Sequence, residues 1–498
     1  MDLPFGTQTP ELDVLIVGAG LSGLASALKI LSMESTLKVR IIEASGVLGG
    51  QLGQNGTRLV DGAQQDMLSF LTLIQLSPRR RRYDNGRLRR CWDLDRGLTA
   101  LPAKFELRRY IEMLDMRMSK FRSKRFKWVE VNQSIISTLV YNLFNSLRER
   151  VSNMEQHICH HLFFNKSRNF MLNLVEIVCG VPANEVDYDV FMSVCSSCGG
   201  LKMLIDFYFT YPSSLYEIST QMLIENILEQ MQFTAIMLNC KALKLEHFKN
   251  YVQVTDDLGN RHTAQAVILA IPWNKVQKLN FEPRIPKGFL PPIVSKSGQK
   301  SHRLITQFQL RYGKSFWTEL GYSGNFLNSQ PLMSGYESRA STLSGYILHS
   351  PGDEDDEVLE EVIDLLAKNF GEEMREPLEC QCSTDELNVV LHKPQTKPWH
   401  RVIWSSSSAT ATSYRSLMGG AVQSGFRAAV NALFVVRPQV VSWKDMLDER
   451  PKIPQENVRK SGRIRGLLSR LNLYNVTFYS FFVLGLIWLL NFGYARSS

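Results

Sequence analysis

The apolar positions of the first fifty residues follow two different periods. Asp13–Val17 (Asp-Val-Leu-Ile-Val) is a short apolar run of the kind buried on both faces of a parallel sheet. The turn Gly18-Ala19-Gly20-Leu21-Ser22-Gly23 follows at once, and Leu24–Leu31 then repeats apolar residues and alanines at helical spacing. Val39–Ile42 is a second apolar run, ending at Glu43. Strand, glycine turn, helix and strand in that order predict a βαβ unit.

Further along, Thr57–Asp61 reads as a strand and Met67–Leu76 as a helix. Residues 104–175 read as mostly helical and residues 214–232 as helical. Residues 235–271 alternate like strands, with a turn at Asp257, Gly259 and Asn260. Leu304–Leu310, Ser344–His349 and Val402–Trp404 read as strands. Glu357–Phe370 is an amphipathic helix after an acidic loop, Asp353–Glu357, and Met418–Leu433 is a helix opened by Gly419-Gly420. Asn85-Gly86 is a hairpin turn signal. Pro438–Pro454 reads as a linker, and no internal repeat is present.

Length and composition narrow this picture. A chain of 498 residues with 44% hydrophobic and 21% charged residues is a globular protein of more than one lobe, which excludes global disorder. Eight cysteines are too few for a disulfide scaffold of this size, so the thiols are read as free. The net charge of +9 is concentrated. Arg79–Arg90 and Arg117–Lys127 each carry +6 and Arg459–Arg470 carries +5, leaving the remainder of the chain acidic. A uniformly basic nucleic-acid binder is excluded; discrete basic segments suit an anionic membrane surface. Leu471–Ala495 holds no charged residue. As a helix it spans roughly 37 Å, enough to cross a hydrocarbon core. A single-pass tail anchor with the bulk of the chain in the cytosol is expected, its partner being membrane lipid.

The glycine turn carries the clearest chemistry. Gly18 permits the turn, Gly20 lets a pyrophosphate approach the backbone, and Gly23 lets helix and strand pack closely. The helix start offers free N–H groups to phosphate oxygens. Glu43 lies twenty residues past Gly23, where a carboxylate accepts hydrogen bonds from ribose hydroxyls. A dinucleotide site is expected. Metal-like spacings are weaker. Cys195-Ser-Ser-Cys198 has no second ligand pair at finger distance, His157-Ile-Cys159-His160-His161 has no carboxylate near it, and Cys380-Gln-Cys382 reads as two free thiols. No metal site is expected.

These segments together resemble the flavin-dependent monoamine oxidase family. Asp13–Gly23, Glu43-Ala44 and Gly49-Gly50 resemble its first strand, phosphate turn, ribose acid and following glycine pair. Glu185–Gly200, ending Cys198-Gly199-Gly200, is similar to its substrate-domain helix and turn. Ala270-Ile271-Pro272, Phe281-Glu282-Pro283 and Phe316-Trp317 follow in the family's order. Ala409–Thr412, Met418, Gly420-Ala421-Val422 and Gly425 resemble its last cofactor-contacting segment. The resemblance implies an α/β two-domain flavoprotein: a Rossmann-like FAD-binding domain, an interleaved substrate domain and a C-terminal transmembrane helix. It divides the chain into FAD-binding parts at 1–90, 226–285 and 396–437, a helical substrate part at 91–225, a sheet part at 286–395, a linker at 438–470 and the anchor at 471–495. It implies cofactor contacts from Gly18, Ala19, Gly20, Leu21, Ser22, Gly23, Glu43, Ala44, Gly49, Gly50, Ala242, Met418, Gly420, Ala421 and Val422. The implied reaction oxidises a small amine to an imine, with hydride passing to flavin and O2 as final acceptor. A homodimer fits this reading, and by analogy the membrane is the mitochondrial outer membrane rather than the endoplasmic reticulum.

The departures from the family pattern cluster around the cofactor. Ser45, Val47 and Gln51 stand where the family has arginines near the pyrophosphate. Gln307 stands at the position of its active-site lysine, and Arg303 lies four residues earlier. Ser405–Ala409 replaces a Gly-Thr-Glu turn, Leu417 replaces a tyrosine of the aromatic cage, and the stretch from Cys382 to Trp399 is too short for the flavin-linking cysteine segment. Bound FAD is therefore expected to be non-covalent. Two readings stay open: a divergent flavin amine oxidase, or a membrane-anchored relative that keeps the fold without turnover.

Overall fold

In the computed structural model, Leu12–Val17 (β1) is a parallel strand between Val39–Ile42 (β2) and Arg261–Leu269, in the registers Val17↔Ile42 and Val17↔Leu269. The structure describes residues 3–446, except 54–55, 81–88, 93–100, 123–152, 213, 232–233, 287–288, 290–302, 353–354 and 388. The predicted tail anchor at 471–495, the Asn85-Gly86 turn and the 123–127 end of the basic run lie outside the described residues. Among those residues no single helix is long and apolar enough to cross a membrane.

Ala235–Met237 extends the parallel layer beside β2, and Val402–Trp404 extends it beside Arg261–Leu269. An antiparallel meander of Ala242–His247 and Val252–Asp256 joins through the first half of Arg261–Leu269. Leu21–Met33 (α1) covers the sheet with its apolar side, burying Leu24, Ala25, Ala27 and Ile30. The long helix Met418–Val436 lies against α1, and small residues bring the two close: a Cβ on Gly425 would lie 2.5 Å from the Ser22 carbonyl oxygen.

The second lobe is built on a six-stranded sheet. Its strand Leu304–Arg311 runs antiparallel to both Thr342–His349 and Glu379–Glu386. Alternation sorts its two faces. Phe308 and Leu310 pack with Val358, Val362, Leu366 and Phe370 of the helix Asp355–Phe370. Ile305 points the other way, into a core of helices that includes Leu114, Phe170, Leu174 and Phe191.

Two expectations need correction. Residues 214–232 are not one helix: Leu215–Ser219 is a strand paired with Thr57–Asp61, and only Thr220–Gln230 is helical. The long-range partner decides the state of that short alternating segment. Asp355, Asp356 and Glu357 form the first turn of the helix Asp355–Phe370 rather than a preceding loop. Acids are stabilised there by the helix dipole.

Candidate cofactor site

The glycine turn stands at the carboxyl ends of the parallel strands, where open α/β sheets bind ligands. The main chain continues the pairing into the turn, with Gly18 N–H donating to Ile42 O at 2.8 Å and Ala270 N–H to Val17 O at 2.8 Å. The fingerprint glycines differ in what surrounds them. A Cβ on Gly23 would sit 2.0 Å from Gly18 O, so this position is closed by the fold itself. A Cβ on Gly20 would meet no atom within 4 Å, so the space in front of it is open. Gly20 caps α1, and Leu24 N–H finds the first helical acceptor, Gly20 O at 3.0 Å. The N–H groups before it in that turn are the donors left over at any helix start.

Glu43 is bound into the same construction. Its Oε2 accepts the Ala19 N–H at 2.7 Å. Its Oε1 accepts the Ser45 N–H at 2.9 Å and the Ser45 hydroxyl at 3.0 Å. Two donors occupy the lone pairs of Oε1, while Oε2 keeps one for a further donor such as a sugar hydroxyl. Gly49 N–H donates to Ala19 O at 2.9 Å, and Gly50 lies against Gly20, its Cβ position 3.3 Å from the Gly20 Cα. The glycine turn Gly18–Gly23, Glu43 and the pair Gly49-Gly50 thus form one continuous wall in which Gly20 faces open space, and Ala44 is exposed beside it. Ala242 opens the strand Ala242–His247, two residues after Cys240, whose N–H donates to Glu43 O at 2.8 Å.

The helix Met418–Val436 brings its first turn to this wall. Met418 and Ala421 are half-buried, Gly420 is closed in by the Tyr414 carbonyl, and Val422 is a core residue packed with α1. Gln64, which the sequence did not single out, and Ser405, first residue of the Ser405–Ala409 run, stand beside them. Gln64 is fully buried; its Oε1 accepts the Gly419 N–H at 3.0 Å and its Nε2 has no partner. Ser405 is fully buried just past the strand Val402–Trp404; its carbonyl oxygen accepts from Ser22 Oγ at 3.5 Å and its own hydroxyl has no partner. Gln64 follows Thr57–Asp61, a strand of a separate three-stranded sheet, whereas Ser405 follows Val402–Trp404 at the carboxyl edge of the parallel layer.

At the positions where the resemblance places arginines, the chain uses other bonds. Ser45 locks the Glu43 carboxylate, and Gln51 Nε2 donates to Glu386 O at 3.1 Å. Arg58 approaches from behind and donates to Leu52 O at 2.6 Å.

Gln307 belongs to the second lobe. It stands opposite Tyr346 and Ser383 and shares a strand face with Ile305 and Gln309, whose Oε1 is buried without a partner. Tyr346 donates its hydroxyl to Tyr208 O at 3.2 Å. Burial pushes both phenols well above their ordinary range. Both residues nevertheless keep some accessible surface. Leu417 is buried in the helical core with Leu327, Leu348 and Val390 and offers no aromatic wall. Arg415 is buried without a carboxylate: its Nε donates to Ser408 O at 2.6 Å, and burial lowers its pKa to about 10. Cys380 and Cys382 are exposed on the edge strand Glu379–Glu386.

The wall fits a dinucleotide: open space at Gly20, an unused lone pair on Glu43, and two orphaned buried groups, Gln64 Nε2 and Ser405 Oγ. Fold and site together define a two-lobed α/β protein with a glycine turn and acid of the dinucleotide-fingerprint type. A family profile described as flavin-containing amine oxidoreductase matches residues 21–433, and the chain belongs to that family. Similar solved structures include cyclohexylamine oxidase from Brevibacterium oxydans IH-35A, with a TM-score of 0.64 and 18% identity, covering 85% of this chain and 99% of that one. Wild-type putrescine oxidase bound to putrescine has a TM-score of 0.61 and 19% identity, covering 84% of this chain and 98% of that one. A double mutant of putrescine oxidase, from a structure-based redesign of its cofactor binding, has a TM-score of 0.63 and 18% identity, covering 86% of this chain and all of that one. At these identities the likeness concerns the fold. A comparison with curated proteins returned no match.

Proposed function

We propose that this protein is a flavin-dependent oxidoreductase that holds FAD non-covalently and acts on a small amine, with O2 as acceptor. The observation that carries the reading is the open space before Gly20, set between a helix start and the Glu43 carboxylate. The α1 N-terminus and Gly20 would bind the diphosphate, Glu43 Oε2 a ribose hydroxyl, and Gln64 Nε2 and Ser405 Oγ further acceptors of the cofactor. Bound FAD supplies the two-electron acceptor. Tyr208, Tyr346 and Gln307 would border the substrate, with Gln307 able to hold a water through its amide. Non-covalent attachment is supported by Cys380 and Cys382, both exposed on an outer strand. The charge-free segment Leu471–Ala495 would tether the protein to a membrane, the mitochondrial outer membrane by analogy.

A second reading, a cofactor-binding relative without turnover, is favoured by one specific pair: an uncharged Gln307 and an aliphatic Leu417 at positions where the resemblance implies a lysine and an aromatic wall. One preparation tests both. Detergent-solubilised full-length protein should show the visible absorption of oxidised flavin, released into the supernatant by acid precipitation. Amines should bleach that absorption in the absence of O2. Flavin that no amine reduces selects the second reading. Colourless protein that takes up no added FAD overturns both.

A further inference from the structure

Behind the Glu43 turn, three side chains far apart in kind converge. Cys240 precedes the strand Ala242–His247, Asp256 ends Val252–Asp256, and His262 lies in Arg261–Leu269; all three are buried. Their donor atoms are mutually close: Cys240 Sγ to Asp256 Oδ2 is 3.3 Å, Cys240 Sγ to His262 Nε2 is 3.8 Å, and His262 Nε2 to Asp256 Oδ2 is 3.2 Å. Zinc–ligand lengths of about 2.3 Å for sulfur and about 2.0–2.2 Å for nitrogen and oxygen give tetrahedral edges of roughly 3.4–3.6 Å. The three atoms already stand close to one face of such a tetrahedron.

Hydrogen bonding alone serves this arrangement poorly. Asp256 Oδ1 accepts from Leu258 N–H at 3.0 Å and Asn260 N–H at 2.7 Å. Oδ2 accepts from Asn260 Nδ2 at 2.9 Å and is then also the only oxygen reached by both the thiol and the imidazole. Five donors meet the roughly four lone pairs that a carboxylate has. A divalent cation in place of the thiol and imidazole protons removes that excess. It also makes the buried set neutral, as thiolate, carboxylate and imidazole around a 2+ charge.

We infer that Cys240, Asp256 and His262 form a zinc site with three protein ligands, leaving the fourth position of the tetrahedron to a water. Sulfur, nitrogen and oxygen donors on one tetrahedral face select zinc among common divalent ions. The three ligands come from adjacent strands of one meander, and Cys240 is hydrogen-bonded through its N–H to Glu43 O at 2.8 Å, so the ion would brace the ribose-binding turn from behind. One neighbour opposes it. Arg40 Nη1 lies 3.4 Å from His262 Nδ1, and a metal on Nε2 moves the ring proton to that nitrogen. Arg40 therefore weakens the site, and a side chain able to accept from Nδ1–H should strengthen it.

The test uses the detergent-solubilised full chain, stripped with a chelator, dialysed against buffered zinc and assayed for metal content. Close to one zinc per chain is expected, lost in Cys240→Ser and His262→Ala and kept in Cys382→Ser. Cobalt loaded in place of zinc should show thiolate-to-metal charge-transfer absorption, absent from Cys240→Ser. Arg40→Gln should bind zinc more tightly by several fold, a readout that stands if the ligand variants misfold. A full chain that takes up no zinc, or a Cys240→Ser protein that keeps its zinc and its cobalt spectrum, overturns the assignment. Flavin content is measured separately on the same samples, so failure of the zinc site and failure of the flavin reading are told apart.

Discussion

Ala19 donates its backbone N–H to Glu43 Oε2 at 2.7 Å, which ties the phosphate turn to the acid at the end of β2. The carboxylate thus has a structural duty before any ligand is considered. Glu43→Gln keeps one oxygen and turns an amide towards the other set of donors. It should cost about 1–3 kcal/mol of stability, the range for leaving a buried or charge-assisted hydrogen bond unmade. Denaturant unfolding of the apoprotein measures this term, and flavin titration measures the accompanying loss of affinity.

Gly20 and Gly23 separate binding from folding. Gly20→Asp points a carboxylate into open space, so the apoprotein should unfold at the wild-type midpoint while flavin retention is lost. Gly23→Ala places a methyl 2.0 Å from Gly18 O and should destabilise the apoprotein by about 2–4 kcal/mol. Equal destabilisation by both would contradict the open space before Gly20.

His247 sets an acid limit to stability. It is 1% exposed, both ring nitrogens lack partners, and it stacks edge-on against Trp399. Burial first, then the charges of His400 and Arg401, lower its pKa from 6.5 to about 4. Between those values the unfolded chain binds the extra proton, so stability falls as pH falls through that window. The loss by the lower end should reach about 3 kcal/mol. His247→Phe should flatten this part of the stability–pH curve, and an unchanged difference between variant and wild type across the window would count against it.

Gln307 distinguishes the two functional readings. A lysine at this half-buried strand position adds a cation on the face shared with Ile305 and opposite Tyr346. If positioning of water or amine is what the chain lacks, Gln307→Lys should raise the rate of anaerobic flavin reduction by about tenfold or more. Stopped-flow bleaching with a panel of primary amines reads it, alongside flavin content to show that the site is intact.

The tail carries its own test. Chains ending near Arg470 should appear in the soluble fraction after carbonate extraction, whereas the full chain stays in the pellet. A truncated chain that still pellets would place the membrane contact elsewhere.

The dinucleotide half of the molecule was legible because its information is local. The run Asp13–Val17, the glycine turn and Glu43 lie within thirty-one residues, and each residue type answers to a nearby backbone need. The second lobe was less legible. Tyr322–Ser329 and Leu332–Arg339 are strands rich in serine and glycine, without clean alternation, and they hold together through pairing such as Phe326↔Gly335. Leu215–Ser219 depends on a partner more than 150 residues away. Gln64 and the Cys240–Asp256–His262 cluster could not be found by spacing, because long-range folding alone brings them to their partners.

Glu386 ends the outer strand of the second lobe, and three contacts meet there. Its carbonyl oxygen accepts from Gln51, beside the glycine pair, while its carboxylate takes Asn274 Nδ2 at 2.7 Å and Lys275 Nζ at 3.7 Å. This single residue latches one lobe onto the rim of the other. Loading the nucleotide wall should therefore tighten the latch as well, so that limited proteolysis just after Glu386 slows on loading, giving a gauge of occupancy that needs no optical signal even for variants that turn nothing over.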